Sequence, residues 1–89
     1  MYFTYVLKSL RDGKLYIGYT ADLKNIFKEH QSGKCTSTKN RRPFELIFYE
    51  AFKDKEDAMR REKYFKTSKG KSALKQMLRC SNPVQGGRL

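Results

Sequence analysis

Four side chains are candidates for chemistry: Tyr5, Tyr16, His30 and Glu62. Glu62 falls on the helical stripe that should face the core, and a carboxylate there costs free energy unless it is paired or binds a cation. Two interpretations are open. Glu62 either forms an ion pair with a lysine or arginine at the edge of the core, or it is a ligand or catalytic group.

His30 shares the apolar face of an earlier predicted helix with Leu23, Ile26 and Phe27, at the helical spacing i, i+3, i+4 and i+7. An imidazole there can act as a general acid or base, or it can be a structural histidine near a helix end. The two candidate tyrosines fall in strand-like segments, where tyrosine is a common packing residue. Taken one at a time, none of these three side chains demands a function.

Two strands joined by a hairpin are predicted to position the tyrosines. Residues 2–8 (YFTYVLK) and 15–20 (LYIGYT) are rich in aromatic and β-branched residues, and an Asp-Gly pair between them is a tight-turn signal. The loop holds two or four residues, and either length puts Tyr5 and Tyr16 on one face of the sheet. A four-residue loop places Tyr5 opposite Gly18 and makes it a diagonal neighbour of Tyr16. Gly18 is expected to leave an open space beside the two rings.

Three helices and one further strand are predicted in the rest of the chain. Asp22 is the expected N-cap of a helix that stops at Gly33. The apolar segment 44–52 (FELIFYEAF) is the expected third strand, and Asp54 is the expected cap of the second helix. A third helix is expected over about residues 69–79.

The element order β-β-α-β-α-α predicts an α/β domain of the α+β type. Its sheet would be small, three-stranded and mostly antiparallel, with helices flanking it. We expect this single domain to cover residues 1–80. Residues 81–89 have turn composition and are expected to form a flexible C-terminal tail.

Positive charge dominates the chain, with 20 Lys and Arg against 9 Asp and Glu and a formal net charge of +11. Basic residues cluster from Lys63 onward, where no acidic residue occurs, and in the polar loop before Pro43. Such clusters attract polyanions, because each phosphate they neutralise releases condensed counterions. Nucleic acid is the expected partner. An anionic membrane surface, or a solvated surface with no polyanion partner, is the weaker alternative.

Other classes of protein are excluded by the sequence. Its apolar runs are far shorter than the ~20 residues that cross a bilayer, and residues 1–5 (MYFTY) do not resemble a signal peptide. Cys35 and Cys80 have no metal-binding or redox spacing, and both are expected to be reduced. We therefore expect a cytoplasmic protein with no membrane contact and no small-molecule cofactor.

An ordered series of motifs resembles the GIY-YIG nuclease superfamily. The series starts with the strand that carries Tyr5 and with the tripeptide Tyr16-Ile17-Gly18 in the next strand. It continues through TADL at residues 20–23, His30 near the helix end, RRPFEL at 41–46 and AMRREKYFK at 58–66. The resemblance extends over about residues 2–79 and is closest to small stand-alone members that consist of little beyond this domain.

The resemblance implies a divalent-metal-dependent phosphodiester hydrolase, an endonuclease. Glu62 would hold a single Mg²⁺ or Mn²⁺, while Tyr5, Tyr16 and His30 would position or deprotonate the attacking water. A metal neutralises charge on the phosphate and the leaving oxygen, and a nearby base orients the water. The first motif reads Thr4-Tyr5-Val6 in this chain and keeps its tyrosine.

Ile26 stands where the family's pattern places an arginine on the first helix. In the family that arginine binds the scissile phosphate, and losing one such donor costs on the order of 10²–10³ in rate. Ile26 also fits the apolar face of its helix as a plain packing residue. Three interpretations remain: a natural member with weak or lost cleavage, an engineered inactive variant, or replacement of the arginine by Lys24, Lys28, Arg41 or Arg42.

The expected substrate is DNA, including structured DNA, in preference to RNA. The alternative is a non-catalytic DNA- or RNA-binding module on the same fold. The same sequence features support both functions, and only Ile26 distinguishes them. The basic side chains expected to contact nucleic acid are Lys24, Lys28, Lys34, Lys39, Arg41, Arg42, Lys66, Lys69, Lys71 and Lys75.

Overall fold

A three-stranded antiparallel sheet forms the centre of the protein, with helices on both of its faces. The computed structural model describes the backbone of residues 1–85 and the side chains of residues 1–78. The strands are β1 (Tyr2–Ser9), β2 (Leu15–Thr20) and β3 (Phe44–Phe52), in the spatial order β2-β1-β3. The helices are α1 (Leu23–Ser32), α2 (Lys55–Phe65) and α3 (Ser68–Gln85), with a short 3₁₀ helix at Lys39–Arg41. The predicted fold class and element order are confirmed.

The hairpin between β1 and β2 has the register of a four-residue loop, one of the two lengths that the sequence allows. Tyr5 pairs with Gly18, and Leu7 pairs with Tyr16. The amide of Gly13 donates to the carbonyl of Ser9 at 2.9 Å, and Gly13 has a φ of 74°, which a residue with a side chain rarely adopts. The four-residue loop therefore fixes which side chains of the two strands share a face.

Strand β1 lies at the centre of the sheet and supplies both hydrophobic clusters. Val6 packs with Ile17, Phe65 and Leu74 on the face covered by α2 and α3. On the opposite face, Tyr5 packs with Leu7 and Phe44 against residues of α1. The candidate tyrosines belong to this second face, so α1 and the loop after it form their surroundings.

A bulge interrupts the pairing of β3 with β1. Val6 pairs with Phe48 and Leu7 with Leu46, so Ile47 is the extra residue. Ile47 and Phe48 consequently both pack against the cluster on the side of α2 and α3. Past the bulge, Tyr49 pairs with Tyr5 and lies on the α1 face.

The ends of α1 are as the sequence predicts, whereas the other helices differ in detail. The Asp22 side chain accepts from the amide of Asn25, and Gly33 ends α1 with a φ of 86°. Asp54 is the N-cap residue of α2, but its side chain makes no capping hydrogen bond. Helix α3 extends to Gln85, beyond the end predicted near residue 79.

The predicted C-terminal tail overlaps the end of this longer helix. Residues 81–85 of the predicted tail belong to α3, and residues 86–89 lie outside the described residues. The flexibility of the tail stays a prediction. Within the described part of the chain, no helix is both long enough and apolar enough to span a membrane.

Candidate active site

A chain of hydrogen bonds connects Tyr5, His30 and Thr38 beneath α1. Nε2 of His30 lies 3.1 Å from the Tyr5 hydroxyl, and Nδ1 of His30 lies 2.8 Å from the Thr38 hydroxyl. All three side chains are buried, with Tyr5 3% and His30 1% exposed. Thr38 is held in turn by the loop, since its amide donates to the carbonyl of Cys35 at 3.1 Å.

The contacts of Thr38 decide which group donates in each of these hydrogen bonds. The Thr38 hydroxyl donates to the carbonyl of Cys35 at 3.4 Å. We therefore assign the proton of neutral His30 to Nδ1, which donates to Thr38, and the lone pair to Nε2, which accepts from the Tyr5 hydroxyl. The loop thus selects the histidine tautomer that receives a hydrogen bond from Tyr5.

Burial keeps both partners neutral. Burial raises the pKa of Tyr5 far above its ordinary value, and the nearby charges of Tyr16, Cys35, Glu62 and Glu29 raise it further. Burial also lowers the pKa of His30, against a smaller opposing effect of Glu29. At neutral pH Tyr5 is therefore a hydrogen-bond donor and not a base.

Tyr16 is the more accessible of the two tyrosines. Its ring lies 4.9 Å from the His30 ring and 6.3 Å from the Tyr5 ring, measured between centroids. Tyr16 is only partly buried, whereas Tyr5 lies behind it. Of the two hydroxyl groups, that of Tyr16 is placed to meet a molecule that arrives from solvent.

The open space expected beside Gly18 is filled in the structure. A Cβ atom on Gly18 would lie 2.6 Å from the Tyr5 hydroxyl oxygen and 2.8 Å from Cζ of the same ring. The expectation was wrong because the missing side chain makes room for Tyr5 itself. Glycine is required here for the close approach of the ring to the backbone of β2.

Glu62 is at the edge of the core, where it forms an ion pair with Lys66 and influences the pKa of Tyr5. Its Oε2 lies 2.8 Å from Nζ of Lys66, and its side chain is 16% exposed. Its negative charge contributes to the raised pKa of Tyr5. The structure therefore has the ion pair that was one of the two interpretations of Glu62. The other interpretation, a ligand or catalytic group, stays a prediction.

The donor set at Glu62 suits a hard cation that keeps most of its own water. Among residues whose side chains are described, no group of three or more His, Cys, Asp or Glu is arranged to hold a metal ion. Mg²⁺ often needs only one or two carboxylates, because water and substrate phosphate complete its shell. A single carboxylate at Glu62 fits this mode, provided that Lys66 releases it.

Comparison with known proteins identifies the fold. A family model described as the GIY-YIG catalytic domain matches residues 1–76. The chain belongs to the GIY-YIG family. This family is a nuclease superfamily, and the resemblance found in the motifs is confirmed.

Relatives of this GIY-YIG domain are small UPF0213 proteins. The UPF0213 protein YazA of Bacillus subtilis is 50% identical over 66 residues, which cover 73% of this chain and 66% of that protein. A UPF0213 protein of Staphylococcus haemolyticus is 39% identical over 75 residues, covering 83% of this chain and 90% of the relative. The solution NMR structure of a UPF0213 protein from Bacillus halodurans matches with a TM-score of 0.53 and 38% identity, covering 86% of this chain and 85% of that one.

Ile26 lies on the α1 face of the GIY-YIG domain, beside the candidate site. It is partly buried and packs against the cluster of Tyr5, Leu7 and Phe44. An isoleucine offers this site neither a charge nor a hydrogen-bond donor. Its role in the structure is apolar packing.

Of the four basic residues considered as replacements for an arginine, the two arginines make other contacts and the two lysines line a groove. Arg41 pairs with Asp12 at 3.1 Å, and Nε of Arg42 donates to the carbonyl of Lys39 at 2.8 Å. Lys24 and Lys28 line a groove between the first turns of α1 and the sheet. Lys66, by contrast, already places a cation at Glu62.

The residues predicted to bind nucleic acid form several separate patches. Lys24 and Lys28 are on α1, and a second group lies in residues 34–42, between α1 and β3. Lys71 and Lys75 line a groove of about 430 Å³ beside Lys14 of the hairpin. Nine of the ten are exposed and Arg41 is partly buried. Binding by these residues stays a prediction.

Two contributors to the architecture of the site were missed in the sequence. Thr38 gave no signal, because its contact with His30 depends on the path of an irregular loop. In the sequence, Arg61 is indistinguishable from the other basic surface residues. In the structure, its guanidinium contacts both carboxylate oxygens of Glu50 at 2.8 and 3.3 Å and lies 4.5 Å from the Phe65 ring centre. Arg61 thereby joins α2 to β3 and helps to hold the helix that carries Glu62.

Proposed function

We propose that this protein is a metal-dependent endonuclease-type domain that hydrolyses phosphodiester bonds in DNA, structured DNA included, with cleavage weakened by Ile26. The observation that carries the proposal is the Tyr5–His30–Thr38 hydrogen-bond chain, which lies behind an accessible Tyr16 in a GIY-YIG domain. Buried polar chains of this kind hold a reactive group in one geometry.

Hydrolysis requires a water molecule in line with the ester bond that breaks. The hydroxyl oxygen of Tyr16 would accept a hydrogen bond from this water and aim it at phosphorus, while Tyr5 and His30 hold the Tyr16 ring from behind. The water oxygen forms the new P–O bond, its proton passes to solvent, and the departing ester oxygen takes up a proton. Tyr5 and His30 act in this scheme as positioning residues.

Glu62 is the proposed ligand of Mg²⁺ or Mn²⁺. Such an ion, when bound, supplies positive charge that stabilises the phosphate and the leaving oxygen. Glu62 must exchange its contact with Lys66 for this role, and the released ammonium group is then free to pair with a substrate phosphate. The Lys66 side chain would thus supply part of the positive charge that Ile26 does not.

A non-catalytic nucleic-acid-binding module is the second candidate, and Ile26 favours it. An apolar side chain at this position removes an electrophile whose loss costs about 3–4 kcal/mol of transition-state stabilisation. The fold and the basic surface support binding in both cases. Only a cleavage assay separates the two functions.

The test is cleavage of plasmid DNA, branched DNA and RNA with Mg²⁺ or Mn²⁺, in the parent and in three variants. We expect slow, metal-dependent cutting of DNA by the parent, faster cutting by Ile26→Arg, and none by Glu62→Gln. Glu56→Gln, which removes an exposed acid from the first turn of the same helix, is the matched control and should cut like the parent. If neither the parent nor Ile26→Arg cuts any substrate while the parent still binds DNA or RNA, the binding module is the supported function. Equal cutting by Glu62→Gln would exclude Glu62 as the metal ligand.

A further inference from the structure

An apolar groove of about 820 Å³ lies between the first turns of α1 and the exposed edge strand β3. Phe3 and Leu46 of the sheet and Leu23 and Phe27 of α1 line it, and Tyr49 forms its outer wall. Leu23 and Phe27 also pack against the cluster that contains Tyr5. The groove and the candidate active site thus share the side chains of Leu23 and Phe27 as neighbours.

Tyr49 lines the edge of this groove and is largely exposed to solvent. The bulge in β3 places it on the α1 face, and its ring meets that of Phe3 edge-on, with centroids 6.2 Å apart and planes at 65°. The side chain is nevertheless 54% exposed. A rigid aromatic ring supported from one side offers a free surface for stacking.

The charges around the groove select the kind of molecule that would occupy it. Lys24 and Lys28, one helical turn apart, form its basic wall. Asp22 is also at the wall, but its carboxylate already accepts a hydrogen bond from Asn25 as the cap of α1. An apolar floor, an exposed ring and two ammonium groups match a flat aromatic base that is attached to phosphates.

We propose that this groove binds an unpaired base of single-stranded or branched nucleic acid, stacked on Tyr49, with the adjoining phosphates on Lys24 and Lys28. The proposal rests on the nucleic-acid substrate of the proposed function and narrows it to strands with an unpaired base beside the site. A base inside an intact duplex cannot reach the ring, because its faces are covered by its neighbours. The groove would therefore distinguish forked or single-stranded substrates from blunt duplex.

The experiment measures dissociation constants by fluorescence anisotropy without divalent metal, so that no probe is cut. The probes are a single strand, a forked duplex and a blunt duplex, with 2-aminopurine in place of one unpaired adenine in a parallel set. Tyr49→Ala should weaken binding of the single strand and the fork about fivefold or more, the lower range for one base–aromatic stack, with little change for the blunt duplex. The wild-type protein should quench 2-aminopurine fluorescence, whereas Tyr49→Ala should not.

Two control variants separate stacking from general damage. Tyr49→Phe keeps the ring and should retain both affinity and quenching. Tyr64→Ala removes another exposed tyrosine, which lines a different pocket with Arg60 and Arg61, and should leave all probes unaffected. Lys24→Gln with Lys28→Gln should reduce the salt dependence of single-strand binding, by about 0.7 in log–log slope for each lysine.

Two results would overturn this inference and leave the proposed function in place. One is equal binding of all probes by Tyr49→Ala and the wild type. The other is an equal loss of affinity on every probe, blunt duplex included, which would mean that Tyr49 supports the fold and does not stack on a base. A wild-type protein that binds no probe at low salt would instead refute the nucleic-acid partner, and this inference with it.

Discussion

Gly18→Ala adds one methyl group at the point where Tyr5 approaches the backbone of β2. The new Cβ would lie 2.6 Å from the Tyr5 hydroxyl oxygen, whereas ordinary contact begins at 3.4 Å. The Tyr5 ring must therefore retreat by ~1 Å, the kind of shift that overpacked cores make. Because its hydroxyl is bonded to His30 at 3.1 Å, this movement should disrupt the Tyr5–His30–Thr38 chain.

The expected loss combines two costs. Overpacking of a well-packed core costs about 1–3 kcal/mol, and a buried group that loses its hydrogen-bond partner costs about 1–3 kcal/mol. Alanine offsets about 0.5–1 kcal/mol of this loss of stability, because glycine loses more conformational entropy than alanine when a strand folds. These terms together span about 1–5 kcal/mol. We expect Gly18→Ala to lower the free energy of unfolding by about 2–4 kcal/mol, the middle of that range and a large share of the 5–15 kcal/mol typical of a folded domain.

The assay pairs urea unfolding with ¹⁵N NMR of the His30 ring. In the parent, the nitrogen shifts should report a neutral ring with the proton on Nδ1, and in Gly18→Ala the Nε2 signal should change as its donor moves away. Gly13→Ala is the matched control, since a Cβ there meets nothing within 4 Å and only the positive φ is strained. It should cost about 1 kcal/mol and leave the His30 spectrum unchanged.

A double-mutant cycle decides whether the clash with Tyr5 is the cause. In a Tyr5→Ala background the ring is absent, so Gly18→Ala should cost little, and the coupling energy between the two positions should approach the single-mutant loss. The reasoning is refuted if Gly18→Ala costs no more than Gly13→Ala and the Nε2 signal is unchanged. It is also refuted if the penalty persists without the Tyr5 ring.

Two further predictions concern His30, the single histidine of the chain. Because burial lowers its pKa, the folded state takes up its proton less readily than the unfolded state. The contribution of His30 to the free energy of unfolding should thus be at its full value above about pH 6.5 and decrease as pH falls toward the lowered pKa. Urea titrations at several pH values should detect this decrease, and His30→Asn should remove it. Thr38→Val should leave the Nδ1 proton without an acceptor and cost about 1–3 kcal/mol, whereas Thr38→Ser should retain the hydroxyl and the parent's ¹⁵N shifts. Equal ¹⁵N shifts in Thr38→Val and the parent would show that our tautomer assignment is wrong.

The elements that the sequence predicted well are those governed by local rules. The Asp-Gly pair between two strand-like segments predicts the hairpin and which residues share a face, while its two possible loop lengths left the exact partner of Tyr5 to the structure, where it is Gly18. Helix α1 begins and ends where Asp22 and Gly33 predict, because capping depends on residues within one turn. The positions of Tyr16 and His30 on one face follow from these two elements together.

The features that escaped prediction depend on distant parts of the chain. The space beside Gly18 is filled by a ring whose side-chain direction the strand pattern does not specify. Thr38 reaches His30 through an irregular loop with no periodicity, and the two carboxylate contacts of Arg61 form only when α2 packs against β3. For Glu62 the sequence supplied both interpretations, and only the fold shows that it pairs with Lys66 while its charge raises the pKa of Tyr5.

The bulge at Ile47 has a consequence for the evolution and engineering of the domain. Loss of that single codon would remove the extra residue and restore regular pairing, with Leu46 still opposite Leu7 and Phe48 still opposite Val6. The residues after the bulge, Tyr49 and Glu50 included, would keep their partners in β1 and their faces of the sheet. A one-residue gap at this position in an alignment of homologues would therefore mark a shorter strand with an unchanged groove surface, whereas a substitution at Tyr49 would change that surface.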